Sequence, residues 1–291
     1  MPCRGDLSLI EAPQLEAWVA PSCHSTPPAS VGPVDDETRL QRDAALAADL
    51  VREAALLAAR IRAEGLDVER KTSGSDIVTQ ADTAAERLIV QQLTAERPDD
   101  AIVGEEGTSR PGTSGRTWVI DPVDGTFNFS RGSDWWCSAI ALHDEDDVLL
   151  GAVHHAASLR TWVGGPELPS TCDGIPLGPL PETPREARCA ATYLHPPFYG
   201  SEVGEAFARA LGQVGTLRML GSGTMDVMAI ASGQWDVLFQ HSVADWDRLP
   251  GAAIIRGAGG ASALVPASGV TWTVTGAPAA VADVRAALLD G

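Results

Sequence analysis

Trp118-Val119-Ile120-Asp121-Pro122-Val123-Asp124-Gly125-Thr126-Phe127-Asn128-Phe129 is the stretch on which the reading of this 291-residue chain turns. Trp118 to Ile120 reads as a short buried strand. Pro122 and Gly125 tighten the turn that follows. Asp121 and Asp124 sit on that turn, and the hydroxyl of Thr126 comes next. Two carboxylates at the end of a buried strand call for a counter-charge, because an unpaired buried carboxylate is costly. Oxygen ligands gathered on a turn suit a hard cation such as Mg²⁺. The other ligands must come from elsewhere in the chain.

Length and composition narrow the field. The chain can form one large domain or two smaller ones, with ample core volume. Apolar residues make up 44%, which is a globular composition. The formal net charge is -18, from 39 acidic and 21 basic residues, and no basic cluster occurs. That balance excludes a nucleic-acid polymer as partner, since phosphate contacts need basic patches. An anionic substrate would need cations to bridge it to so acidic a protein. The five cysteines are odd in number and form no Cys-x-x-Cys, so no zinc site or disulfide framework is expected. No apolar run is long enough for a bilayer, and no signal peptide is recognisable. The expected location is cytoplasmic.

Residues 1–38 are rich in proline and small residues and read as a loosely attached, disordered leader. From Arg39 to Glu64, apolar residues recur at helical steps until Gly65. Lys71 to Asp76 reads as loop. Thr79 and Asp82 then stand in capping-box spacing ahead of a second helix that Pro98 ends. Short strands are expected at 101–103, 118–120, 138–142, 148–154 and 161–163. The proline-crowded segment 164–186 marks a hairpin and a linker. We place a boundary there, between an N-terminal α+β subdomain at 39–185 and a C-terminal α/β subdomain at 186–291. In the second half, strands expected at 189–194, 217–219, 236–240 and 270–274 alternate with helices expected at 203–213, 224–231, 247–257 and 278–289, which predicts layered α/β packing.

Three acidic turns stand out. Gly104-Glu105-Glu106 follows one strand, Asp121 and Asp124 follow another, and Asp245-Trp246-Asp247 precedes a helix. Carboxylates from three loops repel one another unless cations hold them together; such a set could take two or three Mg²⁺. Competing motifs fail. The acids of the central turn lack EF-hand spacing, and there is no Walker A sequence, GxGxxG, HExxH or Gly-x-Ser-x-Gly elbow.

Five segments together resemble the inositol monophosphatase family. Asp121-Pro-Val-Asp124-Gly125-Thr126-Phe-Asn128-Phe129 is similar to its first motif, and Asp245-Trp246-Asp247 running to Gly259-Gly260 to its second. Gly104-Glu105-Glu106 resembles its glutamate turn, Lys71 with Asp76 to Asp82 its N-terminal motif, and Arg218 to Gly223 its substrate-facing loop. The order holds from about residue 40 to 290. The resemblance implies an αβαβα sandwich and a Mg²⁺-dependent, Li⁺-sensitive phosphomonoesterase acting on a small polyol or sugar phosphate as a homodimer. It implies a first Mg²⁺ at Glu105, Asp121, the Val123 carbonyl and Thr126, and a second at Asp121, Asp124 and Asp247. Glu105 would border a third. Asp82 would bond Thr126 and help orient the attacking water. Gly125 and Thr126 would cradle the phosphate, and Gly221, Ser222, Gly223 and Gln240 would meet the substrate.

Departures concern the substrate. Members that process inositol tend to carry Glu where this chain has Gln240, and Trp135-Trp136 replaces smaller groups. Histidinol phosphate, fructose 1,6-bisphosphate and 3′-phosphonucleotides therefore stay open as substrates, as does an idle metal-binding homologue. The roles of Lys71, Glu106, Trp135 and Trp136 are left unassigned by the resemblance.

Overall fold

The computed structural model describes residues 36–70 and 77–290. Lys71 and Asp76, and all but the last three residues of the expected leader, lie outside them. The first helix, α1 (Asp36–Glu64), takes in those three residues, so it starts earlier than its apolar periodicity suggested. Its Ala47, Leu50, Val51, Ala54 and Ala58 are fully buried and recur at three- and four-residue steps. Two short strands, β1 (Val68–Arg70) and β2 (Ile77–Thr79), pair antiparallel and lead into α2 (Gln80–Glu96).

The larger sheet holds eight strands: β3 (Ala101–Gly104), β4 (Ser109–Arg110), β5 (Thr117–Asp124), β6 (Cys137–His143), β7 (Val148–His155), β8 (Arg160–Gly165), β9 (Leu168–Cys172) and β10 (Ile175–Pro176). Their spatial order is β10-β9-β8-β7-β6-β5-β3-β4. Neighbours run antiparallel except β3 and β5, which are parallel. A five-residue helix, α3 (Thr126–Ser130), follows β5.

The chain then lays down β11 (Cys189–Tyr193), α4 (Glu202–Leu211), β12 (Thr216–Arg218), α5 (Gly223–Ala231), β13 (Val237–His241), α6 (Asp245–Gly257), β14 (Ala261–Ala267), β15 (Val270–Gly276) and α7 (Pro278–Leu289). The second sheet has the order β12-β11-β13-β15-β14, with β11 parallel to both of its neighbours. Helices α1 and α2 cover one face of the large sheet, and α6 packs on its other face. Helices α5 and α6 lie between the sheets, while α4 packs on α7, which covers the second sheet. The result is the expected αβαβα layering.

Alternation along β5 decides which layer each side chain enters. Trp118 and Ile120 join the core under α1 and α2, with Ile89, Ile140 and Leu142. Val119 turns the other way, onto Leu249 and Ala253 of α6. At its entry β5 is tied to α1 and α2 by a buried ion-pair group. Buried Asp43 pairs with Arg97 at 2.6 Å and with Arg116, and Asp100 accepts the Trp118 indole N–H at 2.9 Å.

Candidate active site

The carboxylates meet because two parallel strands end together. Gly104 is opposite Ile120 in the β3–β5 pairing, so the residues that follow leave the sheet side by side. The Glu105 N–H donates to the Ile120 carbonyl at 3.1 Å, which holds the glutamate turn against the end of β5. Asp121 continues the Val119 face of the strand, toward α6. Asp247 lies in the first turn of α6. Asp121, Asp124 and Asp247 each offer an oxygen within 4.8 Å of the others.

These acids repel one another. Asp121 is 1% exposed, and burial pushes its carboxyl well above the ordinary range. The charges of Glu105, Asp124 and Asp247 push it the same way. Burial also raises Asp124, against hydrogen bonds from Ser222 and Thr224 that favour its charged form. Oxygen donors with unbalanced negative charge fit a hard divalent cation. The nearby thiol, Cys137, lies 3.9 Å from Asp124 Oδ2, and burial pushes it well up, so it is a poor thiolate ligand.

The expected helper residues surround this group. Asp82 is fully buried and serves two turns. Its Oδ2 accepts the Thr79 N–H at 3.0 Å and the Thr79 hydroxyl at 2.5 Å, completing the capping box of α2. Its Oδ1 takes the Thr126 hydroxyl at 3.2 Å, and burial outweighs these bonds to raise its carboxyl. Thr126 Oγ1 also lies 3.0 Å from the Val123 carbonyl, leaving that oxygen a second lone pair for a cation. Gly125 has φ +90°, and a Cβ there would stand 3.0 Å from the Ser222 Cβ and 3.2 Å from the Trp135 carbonyl. Only glycine suits that crossing.

Ser222, expected to meet the substrate, is tied to Asp124. Its hydroxyl donates to Asp124 Oδ2 at 2.7 Å and accepts from the Met225 N–H as the N-cap of α5. The Thr224 N–H reaches the same Asp124 oxygen at 2.7 Å. Gly221, Ser222, Gly223 and Gln240 all line a cavity of about 570 Å³ with Glu105, Asp124, Gly125, Thr126 and Asp247. Gln240 lies across from Gly223, where an added Cβ would be 3.3 Å from its Oε1. Tyr193 and His195 also face this cavity and meet edge to face at 4.6 Å.

Four residues to which the sequence reading gave no role belong to this framework. Asn128 Nδ2 donates to the Trp135 carbonyl at 2.9 Å and the Leu220 carbonyl at 2.7 Å, joining α3 to the loop before α5. The Trp135 indole donates to Asp226 at 3.0 Å. Burial pushes the Asp226 carboxyl up to about 8 against that bond. Glu86 accepts hydrogen bonds from the glutamate turn. Its signal in the sequence was an acid one helical turn after Asp82 on the buried face of a helix.

The inositol monophosphatase family model matches residues 39–288. The chain belongs to this family. It is therefore a phosphoric monoester hydrolase of a metal-dependent class. A Mycobacterium tuberculosis relative, inositol-1-monophosphatase SuhB, is 30% identical over 288 residues, which cover 89% of this chain and 96% of the relative. A Thermotoga maritima fructose-1,6-bisphosphatase/inositol-1-monophosphatase is 30% identical over 194 residues, or 67% of this chain and 73% of the relative. The solved structure of Mycobacterium tuberculosis SuhB aligns with TM-score 0.71 at 27% identity, covering 85% of this chain and 96% of its own.

Proposed function

We propose that this inositol monophosphatase-family chain hydrolyses the phosphate ester of a small polyol or sugar, with two or three Mg²⁺ per subunit. The observation that carries the reading is the meeting of Asp121, Asp124 and Asp247 within 4.8 Å, with Asp124 and Asp247 on the wall of a cavity that can hold a small phosphate ester. Asp121 would be shared between two cation sites, one completed by Glu105 and the Val123 carbonyl, the other by Asp124 and Asp247. When bound, the cations supply a water of lowered pKa and offset the charge on the phosphate and the leaving oxygen. The chain's own residues do the positioning. Asp82 fixes the Thr126 hydroxyl beside the position of the attacking water. Ser222 and the Thr224 N–H hold one oxygen of Asp124, which leaves the other for a cation. Gly125 lets the backbone approach the phosphate. The ligands come from both halves of the chain, with Asp247 from the segment after residue 186, so the two expected subdomains must meet for the site to exist.

Two observations favour a second reading within the same chemistry. Gln240 puts a neutral amide on the cavity wall, and the Tyr193–His195 pair offers ring edges and faces to a leaving group. Both suit an ester whose leaving group carries an aromatic ring, such as histidinol phosphate or a 3′-phosphonucleotide. We read the protein as a cytoplasmic homodimer. Unpaired, buried Cys137, Cys172 and Cys189 fit a reducing compartment, and exposed Ile175 on the edge strand β10 offers apolar surface to a second copy. No helix among the described residues is long and apolar enough to cross a membrane.

A phosphate-release screen with Mg²⁺ across polyol, sugar, nucleotide and histidinol monophosphates tests the function and names the substrate. In the same assay Asp124→Asn should lose more than about 100-fold in rate, since removing outer partners of metal ligands alone costs roughly 10–100-fold. Near wild-type release by a folded Asp124→Asn would remove the two-cation assignment.

A further inference from the structure

We propose that Glu86 is a positioning residue that sets Glu105 for cation binding; the inference rests on the metal-dependent reading above. Glu86 lies on α2, one helical turn beyond Asp82, and is only 3% exposed. No basic side chain among the described residues pairs with it. Its partners are neutral donors, all on the turn that carries Glu105. Oε2 accepts the Glu106 N–H at 2.9 Å. Oε1 accepts the Thr108 N–H at 3.2 Å and the Thr108 hydroxyl at 2.6 Å.

The turn does not need this carboxylate to close. Gly104 and Thr108 already bond through their own backbones at 2.8 Å, and the Gly107 N–H lies 3.3 Å from the Gly104 carbonyl. Burying a carboxylate is costly even when neutral donors bond it, so its presence calls for a purpose beyond closure. What it adds is orientation. Glu105 is pinned on one side by its own N–H to Ile120 of β5. Glu86 pins the next residue from the other side. Gly104 leaves room for this, since a Cβ there would stand 2.3 Å from Glu86 Oε2.

The same helix orients the second turn of the site. Asp82 holds Thr126 after β5, and Glu86, four residues on, holds the turn after β3. Residues four apart share a helix face, so one rigid element indexes the two turns against each other. A one-atom change should disturb this. Glutamine at position 86 can place its oxygen toward Glu106 or toward Thr108. Either choice aims its NH₂ at a backbone N–H that now has an acceptor.

The test measures Mn²⁺ binding by titration calorimetry and electron paramagnetic resonance in wild type, Glu86→Gln, Glu105→Gln and the double variant. The Mg²⁺ dependence of phosphate release is followed alongside. Glu86→Gln should weaken one class of Mn²⁺ site by about 10–100-fold and raise the Mg²⁺ needed for half-maximal rate in step. The double variant should bind no more weakly than Glu105→Gln alone, because Glu86 acts through Glu105. Melting curves in chelator separate this from a general loss of stability. Should Glu86→Gln fail to fold, Thr108→Val removes only the hydroxyl that donates to Glu86 and should shift the same site in the same direction. Unchanged Mn²⁺ affinity in the folded variants, or losses that add fully in the double variant, would overturn the inference. Wild-type protein that binds no divalent cation would instead overturn the metal-dependent reading itself.

Discussion

Gln240 is the residue whose change should move substrate choice without touching the cation ligands. It lies on β13 with its side chain in the cavity, beside Gly223 at the start of α5. An amide offers a ring hydroxyl one neutral acceptor; a carboxylate offers two charged ones. Hydrogen bonds to charged groups exceed neutral ones by about 1 kcal/mol, or roughly fivefold in an equilibrium constant. Gln240→Glu should therefore raise kcat/KM for an inositol phosphate about fivefold relative to an ester whose leaving group carries an aromatic ring, measured by competing the two. An unchanged ratio would show that position 240 does not read the leaving group. At this scale the sequence was informative where chemistry restricts residue type. Two aspartates on a Pro/Gly turn after a buried strand have few uses. Asp226 was not legible, and Glu86 only as an acid one turn after Asp82, because acids in helices are common and only packing shows that these are buried.

At the scale of elements, β7 and β8 carry a titratable group that does not line the cavity. His154 is 1% exposed, its Nδ1 lies 2.8 Å from the Thr161 hydroxyl, and its Nε2 has no hydrogen-bond partner among the described residues. Burial, with nearby Arg52 and His155, lowers its pKa from 6.5 to about 4. The unfolded chain thus takes up this proton first as pH falls. The histidine's contribution to stability is complete above about pH 6.5 and declines between 6.5 and 4. Urea midpoints at pH 7 and pH 5 should differ less in His154→Gln than in wild type; equal differences would refute the assignment. Element boundaries followed the sequence where periodicity was strong. The final helix, 278–289, was read at its observed limits. Strand β14 was missed because Ala261-Ser-Ala-Leu-Val-Pro-Ala267 is poor in β-branched and aromatic residues and contains a proline. It is a strand at the sheet edge because β15 supplies a seven-residue partner.

Across the whole molecule, every residue assigned to the site falls between Asp82 and Asp247, and the family match begins at residue 39. Removing residues 1–35 should leave kcat within about twofold, because the family match and every residue assigned to the site lie after them. A large loss of rate would show that the segment takes part. The layered fold was legible from strand–helix alternation, but the strand order was not, since the β3–β5 neighbourhood depends on a parallel pairing that leaves no local mark. Alternation along β5 also gives the active site a phase. A chain one residue longer or shorter just ahead of Asp121 would turn its carboxylate under α1 and α2, away from Asp247, while every side chain kept its identity. A change of two would bring it back. What is written in this strand is therefore a parity as much as a motif, and substitutions at its core positions leave that parity untouched.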